Sequence, residues 1–297
     1  RIENSEGASV DAHQGVEVYG NSLGFIGHTQ KSRQGISCSV IAGSGDSMQR
    51  DYWYSSARRL RDLDTPEHVG DQAARRTLRR LGARRVPTCR VPVIYEAPVA
   101  SSLLGHFISA ISGGALYRKA SFLLDHLDKK SFPEFVRIHE QPLIMGGMGS
   151  AAFDGEGVAT SARDIVSDGI LRGYVLGSYS ARRLELQTTG NAGGVHNLTI
   201  DTGDQNLEQM ISGIDEGFLV TELIGFGINN VTGDYSRGAA GLWIENGEIA
   251  YPVEEVTVAG NLKDIFQNIA AIGNDVDPRR STRCGSILVE GLTIAGD

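Results

Sequence analysis

Seven histidines and three cysteines are the residues of this 297-residue chain best suited to hold a metal, and their spacing governs what they can do. The histidines are His13, His28, His68, His106, His126, His139 and His196. None falls in H-E-x-x-H, in which two imidazoles share a helix face and the glutamate beside them readies a water. Cys38, Cys89 and Cys284 are too far apart for a zinc knuckle, and their odd number gives no disulfide framework. GNSLG at residues 20–24 has the form G-x-S-x-G, which exposes a nucleophilic serine at a strained strand-to-helix turn. A strand-like run follows it here, so Ser22 reads as a hairpin residue. GFGINN at 225–230 lacks the third glycine of a dinucleotide fingerprint and has no βαβ setting. Asp154, Glu156, Asp164 and Asp168 do not have calcium-loop spacing and read as a polar turn entering a strand. The residues alone therefore give no convincing catalytic motif. A metal site gathered from distant parts of the chain, making the chain itself a hydrolase, stays open as an alternative.

Net charge is −8, which argues against broad nucleic-acid binding. Residues 51–90 nevertheless hold ten Arg against five Asp or Glu. They read as a solvated helix face, with a nucleic-acid- or gyrase-associated regulator as the alternative. No apolar run reaches membrane-spanning length, and the polar start RIENSEGASVDAHQG lacks the apolar core of a signal peptide. The chain begins without Met, so a fragment or a processed product is expected. The unpaired cysteine pattern points to a reducing compartment, and the N-x-T sequons at Asn197 and Asn230 read as chance matches.

The elements that must position these residues are mixed. GVEVYGNSLGFIGH reads as two strands around a turn at Asn21 and Ser22, with GISCSVIAG as a third strand. A helix is expected over residues 51–63. A second starts at Thr65 as cap and Pro66 as first helical residue, buries Val69, Ala73, Ala74, Leu78 and Leu81, and ends at Gly82. Residues 83–92 read as a linker. RVPVIYE reads as a buried strand. Residues 99–112 form a helix with Leu103, Leu104, Phe107, Ile108 and Ile111 on one face, stopped by Gly113 and Gly114. Asp168–Gly169 and Asn246–Gly247 read as turns leading into strands, the latter a strong hairpin signal. A helix over residues 262–269 and a closing strand, GSILVEGLTIAG, complete an α+β pattern without regular alternation.

Several stretches resemble the TldD/TldE (PmbA) family: YGNSLGF at 19–25, RDYWYSSARRLRDLDTPEHVG at 50–70, GGALYRKASFLLD at 113–125, GSYSARRLELQTTGNAGGVHN at 177–197, TELIGFGINNVTGDYSRGAAGLWIENGEIAYPVEEVTVAGNLKDIFQNIAAIGND at 221–275 and RCGSILVEGLTIAG at 283–296. They fit the TldE/PmbA branch better than TldD. The resemblance implies a middle portion of strands and two helices over residues 1–86, then a β-rich C-terminal domain over 87–297, with the family's N-terminal α/β region lacking. It also implies a cytoplasmic heterodimer whose TldD-like member holds zinc and hydrolyses unfolded or flexible peptides. An older family name, modulator of DNA gyrase, reflects an indirect association. The sister branch carries H-E-x-x-x-H where this chain has LLGHFISA. Gly105 falls at the first histidine, His106 at the glutamate and Ala110 at the second histidine. Cys284 matches a zinc-ligand cysteine of the sister branch, and it reads here as a buried small residue. The expectation is a non-catalytic subunit with no cofactor or metal of its own, zinc in the partner, extended peptides as substrates, self-association when alone, and no membrane or nucleic-acid partner.

Overall fold

The computed structural model describes residues 2–296, which divide into two compact units. The first holds residues 2–83 with 145–148. Its strands β1 (Ile2–Gly20), β2 (Ile26–Ala42) and β3 (Gln49–Ala57) form an antiparallel sheet in that order, and α1 (Pro66–Leu78) packs on β2 and β3. Thr65 caps α1 by accepting the His68 amide at 3.2 Å, with Pro66 at the first turn, as the sequence indicates. The buried stripe of α1 is Val69, Ala73 and Thr77, whereas Ala74, Leu78 and Leu81 are only half-buried.

Two expectations fail in this unit. Residues 26–42 are one continuous strand, paired from Ile26 opposite Gly20 to Ala42 opposite Ile2. The residues read as a polar N-terminus are its partner strand, nearly all exposed. The helix expected over 51–63 is instead strand β3, followed by a short 3₁₀ turn at Leu60–Asp62. Its period of two is hidden because its inward side chains are polar: Gln49, Asp51 and Ser55 are buried. Asp51 draws Arg76 to 3.2 Å and Arg80 to 4.0 Å, while Arg80 donates to Gln49 at 3.1 Å and Arg76 lies 5.2 Å from the Trp53 ring centre. Arg58 donates to the Ser32, Gly147 and Met148 carbonyls. These arginines are held by the fold, not displayed as a free basic face.

The second unit holds residues 84–144 and 149–296. In chain order it contains β4 (Cys89–Tyr95), α2 (Ala97–Ala110), α3 (Gly113–Tyr117), β5 (Ile138–Glu140), β6 (Arg163–Ser167), β7 (Ile170–Leu171), α4 (Ser178–Arg183) and β8 (Leu198–Ile200). It continues with α5 (Leu207–Ser212), β9 (Glu216–Ile224), β10 (Asp234–Glu245), β11 (Glu248–Asn261), α6 (Leu262–Gln267), β12 (Ile269–Ile272), β13 (Thr282–Arg283) and β14 (Ile287–Ala295). One sheet runs β11-β10-β9-β4-β14-β12, and an extra pairing of β11 with β14 closes it into a barrel. The other runs β13-β8-β5-β6-β7. Helices and strands mix without regular βαβ units, so the fold is α+β.

Helix α2 seals the barrel. Its Leu103, Leu104 and Phe107 join Val93, Phe218 and Val220 in one core, and Phe107 meets the Phe132 and Phe266 rings edge-on at 4.9 and 5.7 Å. Asn246 and Gly247 take φ of 51° and 77°, the left-handed geometry of a two-residue hairpin turn joining β10 to β11. Gly113 and Gly114 do not simply stop α2. Ser112 caps a new helix there by accepting the Ala115 amide, so the two glycines open α3. Residues 84–92 are not a loose linker either: the Arg84 amide bonds Pro252 O, its guanidinium stacks 3.4 Å from the Tyr251 ring centre, and β4 begins at Cys89. Among the described residues no helix is long and apolar enough to cross a membrane.

Candidate functional site

Residues three and four apart share a helix face, and on α2 the face through Gly105, Ile108 and Ser109 leaves Gly105 and Ser109 exposed, with Ile108 half-buried against the core. From Ile108 onward it lines a groove of about 530 Å³ in the second unit, facing Tyr117 of α3, Tyr179 of α4, Glu156 and the loop 191–194. The two tyrosine rings meet edge-on at 5.7 Å, and the Arg118 and Arg183 guanidiniums stand 5.3 and 6.0 Å from the Tyr117 ring centre. Gly193 and Gly194 have φ of 107° and 118°, and a Cβ on either would point into open space. The groove thus presents aromatic faces, hydroxyls and bare backbone, the surface an extended chain can lie against.

Two buried carboxylates hold its far wall. Asp154 accepts the Glu156 and Val158 amides on one oxygen and the Ala192 amide on the other, at 2.9, 3.0 and 2.9 Å. Glu140, 1% exposed, takes Arg163 Nε at 2.7 Å, the Asn191 amide at 3.0 and 3.1 Å and the His196 backbone N–H at 2.9 Å. Burial raises its carboxyl pKa, but the His196 and Arg163 contacts outweigh burial and hold it below the usual carboxylate range. Glu156 turns back to accept the Ser178 amide at 2.7 Å, tying the loop to the start of α4. Of the four carboxylates singled out in the sequence, Asp154 and Glu156 build the groove. Asp164 pairs with Arg137 at 2.7 Å, and Asp168 makes a left-handed turn with Gly169. Sequence reading missed Glu140, Tyr117, Tyr179 and Asn191, although GSYSARRLELQTTGNAGGVHN contains the last two and its glycines mark unusual backbone.

The residues matching the sister branch's zinc motif do not converge. Gly105 is exposed, and a Cβ there would meet nothing within 4 Å. Ala110 is 0% exposed and faces the core. Burial and the nearby Arg237 charge push the His106 imidazole down to about 4, so it is neutral at pH 7. Its Nε2 is buried without a hydrogen-bond partner. Cys284 is 1% exposed, and burial pushes its thiol up to about 12. Its Sγ lies 3.9 Å from Ala97 O, in the first turn of α2. Ala97 precedes Gly105 by eight residues, about 12 Å along the helix axis. Among the described residues no three His, Cys, Asp or Glu side chains are grouped as a metal site needs. The donors of this chain do not fit a zinc ion at the matching positions. Ser22 sits exposed in the turn between β1 and β2, and GFGINN forms the loop between β9 and β10, outside any βαβ unit.

Fold and groove together define a closed-barrel domain with a helix-walled groove, preceded by a ribbon-and-helix domain. The chain matches the PmbA/TldA metallopeptidase central domain over residues 1–81 and the PmbA/TldA metallopeptidase C-terminal domain over 88–296. It therefore belongs to the PmbA/TldA metallopeptidase family, the TldD/TldE (PmbA) family of its sequence motifs. It is 50% identical over 296 residues to Metalloprotease PmbA of Escherichia coli O157:H7, covering all of this chain and 66% of that protein. A Bacteroides thetaiotaomicron structure named for modulation of DNA gyrase superposes with a TM-score of 0.93 at 33% identity, over 98% of this chain and 66% of that one. TldE from Thermococcus kodakarensis has the same fold, with a TM-score of 0.86 at 22% identity over 97% of this chain and 69% of that one.

Proposed function

We propose that this chain is a non-catalytic TldE/PmbA-type subunit that pairs in the cytoplasm with a TldD-like zinc peptidase and helps wall off the cleft where unfolded peptides are cut. The observation carrying this reading is the state of α2. One motif position is a bare backbone, the next a neutral imidazole, and the third an alanine locked in the core. Glycine and alanine carry no donor atom, and one imidazole by itself cannot hold zinc tightly or stand in for the missing glutamate, so the zinc and the hydrolytic step belong to the partner.

What this chain supplies is recognition. The groove beside α2 offers tyrosine faces and glycine backbone to a chain with no fold of its own, and the Glu140 and Asp154 networks keep that wall rigid. An extended peptide can be held by main-chain hydrogen bonds irrespective of its sequence. The test is a peptidase assay on a flexible peptide with the TldD-like protein alone, this chain alone, and both. The reading expects strong cleavage with both and none with this chain alone. Equal cleavage by the partner without this chain overturns it.

A further inference from the structure

Two cations stand over the groove with nothing negative to hold them. Arg118 caps the end of α3, Arg183 is the last residue of α4, and both are exposed. Their guanidiniums crowd one ring, at 5.3 and 6.0 Å from the centre of Tyr117, which lines the groove with Tyr179. Arg118 is also folded back toward the groove. Its Nη1 donates to Tyr117 Oη at 3.2 Å, and its Nη2 lies 3.4 Å from where a Gly114 Cβ would stand. Among the described residues neither arginine pairs with a carboxylate.

That lack stands out in a chain whose Asp and Glu outnumber its Lys and Arg by 36 to 28. Arg137, Arg163, Arg172 and Arg279 of the same unit each hold a carboxylate. The groove's own carboxylate, Glu156, is turned to the Ser178 amide instead. A helix C-terminus carries at most about half a negative charge, so α3 and α4 offset the two guanidiniums only in part. A tyrosine face attracts a cation, but it offers no acceptor to the N–H groups at the guanidinium edge. Two like charges on one ring repel, and an anion placed between them turns that repulsion into attraction. The Tyr179 ring, 56% exposed and edge-on to Tyr117, adds apolar surface at the same spot.

We propose that Arg118 and Arg183, with Tyr117 and Tyr179, make this groove select extended peptides that carry an Asp or Glu side chain. A planar carboxylate accepts the paired N–H groups of a guanidinium, while the flanking residues of the peptide lie on the tyrosines. The inference rests on the reading of the groove as a peptide-binding wall and adds the class of peptide it prefers.

The experiment measures binding of flexible Gly-Ser peptides to the full chain by fluorescence anisotropy, with an uncharged dye. The peptides are blocked at both ends and differ only at two central positions, which are Glu, Gln or Lys. The chain's net charge of −8 would by itself favour the Lys peptide. The expected order is the reverse: at low salt the Glu peptide binds about three- to tenfold more tightly than the Gln peptide, and the Lys peptide binds weakest. High salt is expected to narrow the gap. In Arg118→Gln/Arg183→Gln the Glu and Gln peptides are expected to bind alike. In Arg118→Glu/Arg183→Glu the Lys peptide is expected to bind best, an inversion that a merely structural role for the arginines would not give. Both positions are exposed, so the fold is expected to survive each change, as circular dichroism checks. Equal binding of all three peptides to the unaltered chain overturns the inference but leaves the reading of the groove standing. A Glu preference that survives in both double variants also overturns it. No binding of any peptide overturns the inference together with the reading beneath it.

Discussion

Glu140→Gln changes one oxygen for an amide nitrogen at the centre of the wall behind the groove. The wild-type carboxylate receives Arg163 Nε at 2.7 Å, the Asn191 side-chain amide at 3.0 and 3.1 Å, and the His196 backbone N–H at 2.9 Å. Every partner is a donor. A glutamine keeps one acceptor and points a donor at the others, while Arg163 loses its carboxylate partner. Removing one member of a buried ion pair costs about 3–5 kcal/mol. For a unit of this size that is a fall in Tm of roughly 6–20 °C at pH 7. Because Asn191 lines the groove, hydrogen exchange over residues 189–197 is expected to quicken with it. The effect depends on pH in a defined sense. The folded pKa of Glu140 is depressed, so its contribution is full above the ordinary glutamate pKa and is lost as pH falls through the folded value. The gap between wild type and variant therefore narrows below about pH 4. A Tm shift under about 2 °C at pH 7, with unchanged exchange over 189–197, refutes the assignment of Glu140 as the anchor of this wall.

Asp154→Ala removes the acceptor of three backbone amides, for an expected loss of about 3 kcal/mol or more. Urea unfolding measures it, with exchange at residues 154–158 and 192 rising together. Gly113→Ala would set a Cβ 2.2 Å from Ser180 Oγ and 2.4 Å from Ser180 Cβ, costing about 1–3 kcal/mol. A second change, Ser180→Gly, is expected to restore much of that loss, and no restoration counts against a direct α3–α4 clash. His106 titrates near 6.5 when unfolded and about 4 when folded, so the unfolded chain binds more protons between those values. Stability is expected to fall from pH 6.5 toward 4, and His106→Gln is expected to flatten that part of a Tm-against-pH curve.

Elements set by local chemistry could be read from the sequence. The Thr65–Pro66 start of α1, the Asn246–Gly247 turn and the apolar stripe Leu103, Leu104, Phe107 each carry their own signal. Strand β3 could not, because its inward face is Gln49, Asp51 and Ser55, and Arg76 of α1 and Arg80 just beyond it stand where apolar side chains usually pack. The β1–β2 ribbon escaped for a related reason: most of β1 faces solvent, so no buried face marks its register. The LLGHFISA segment located α2 correctly, but not where its residues point. Gly105 and Ala110 are five residues apart, about 140° around the helix, so one faces solvent and the other the core. The groove drew on α2, α3, the turn at 154–156 and the loop at 191–194. Each is an ordinary polar or glycine-rich stretch until the fold joins them.

Elemental analysis for zinc, made on this chain purified alone and on its complex with a TldD-like partner, tests the central claim most directly. The account predicts no bound zinc on the chain alone and one zinc per complex. One tightly held zinc per copy of the isolated chain, released by Cys284→Ser, would contradict it.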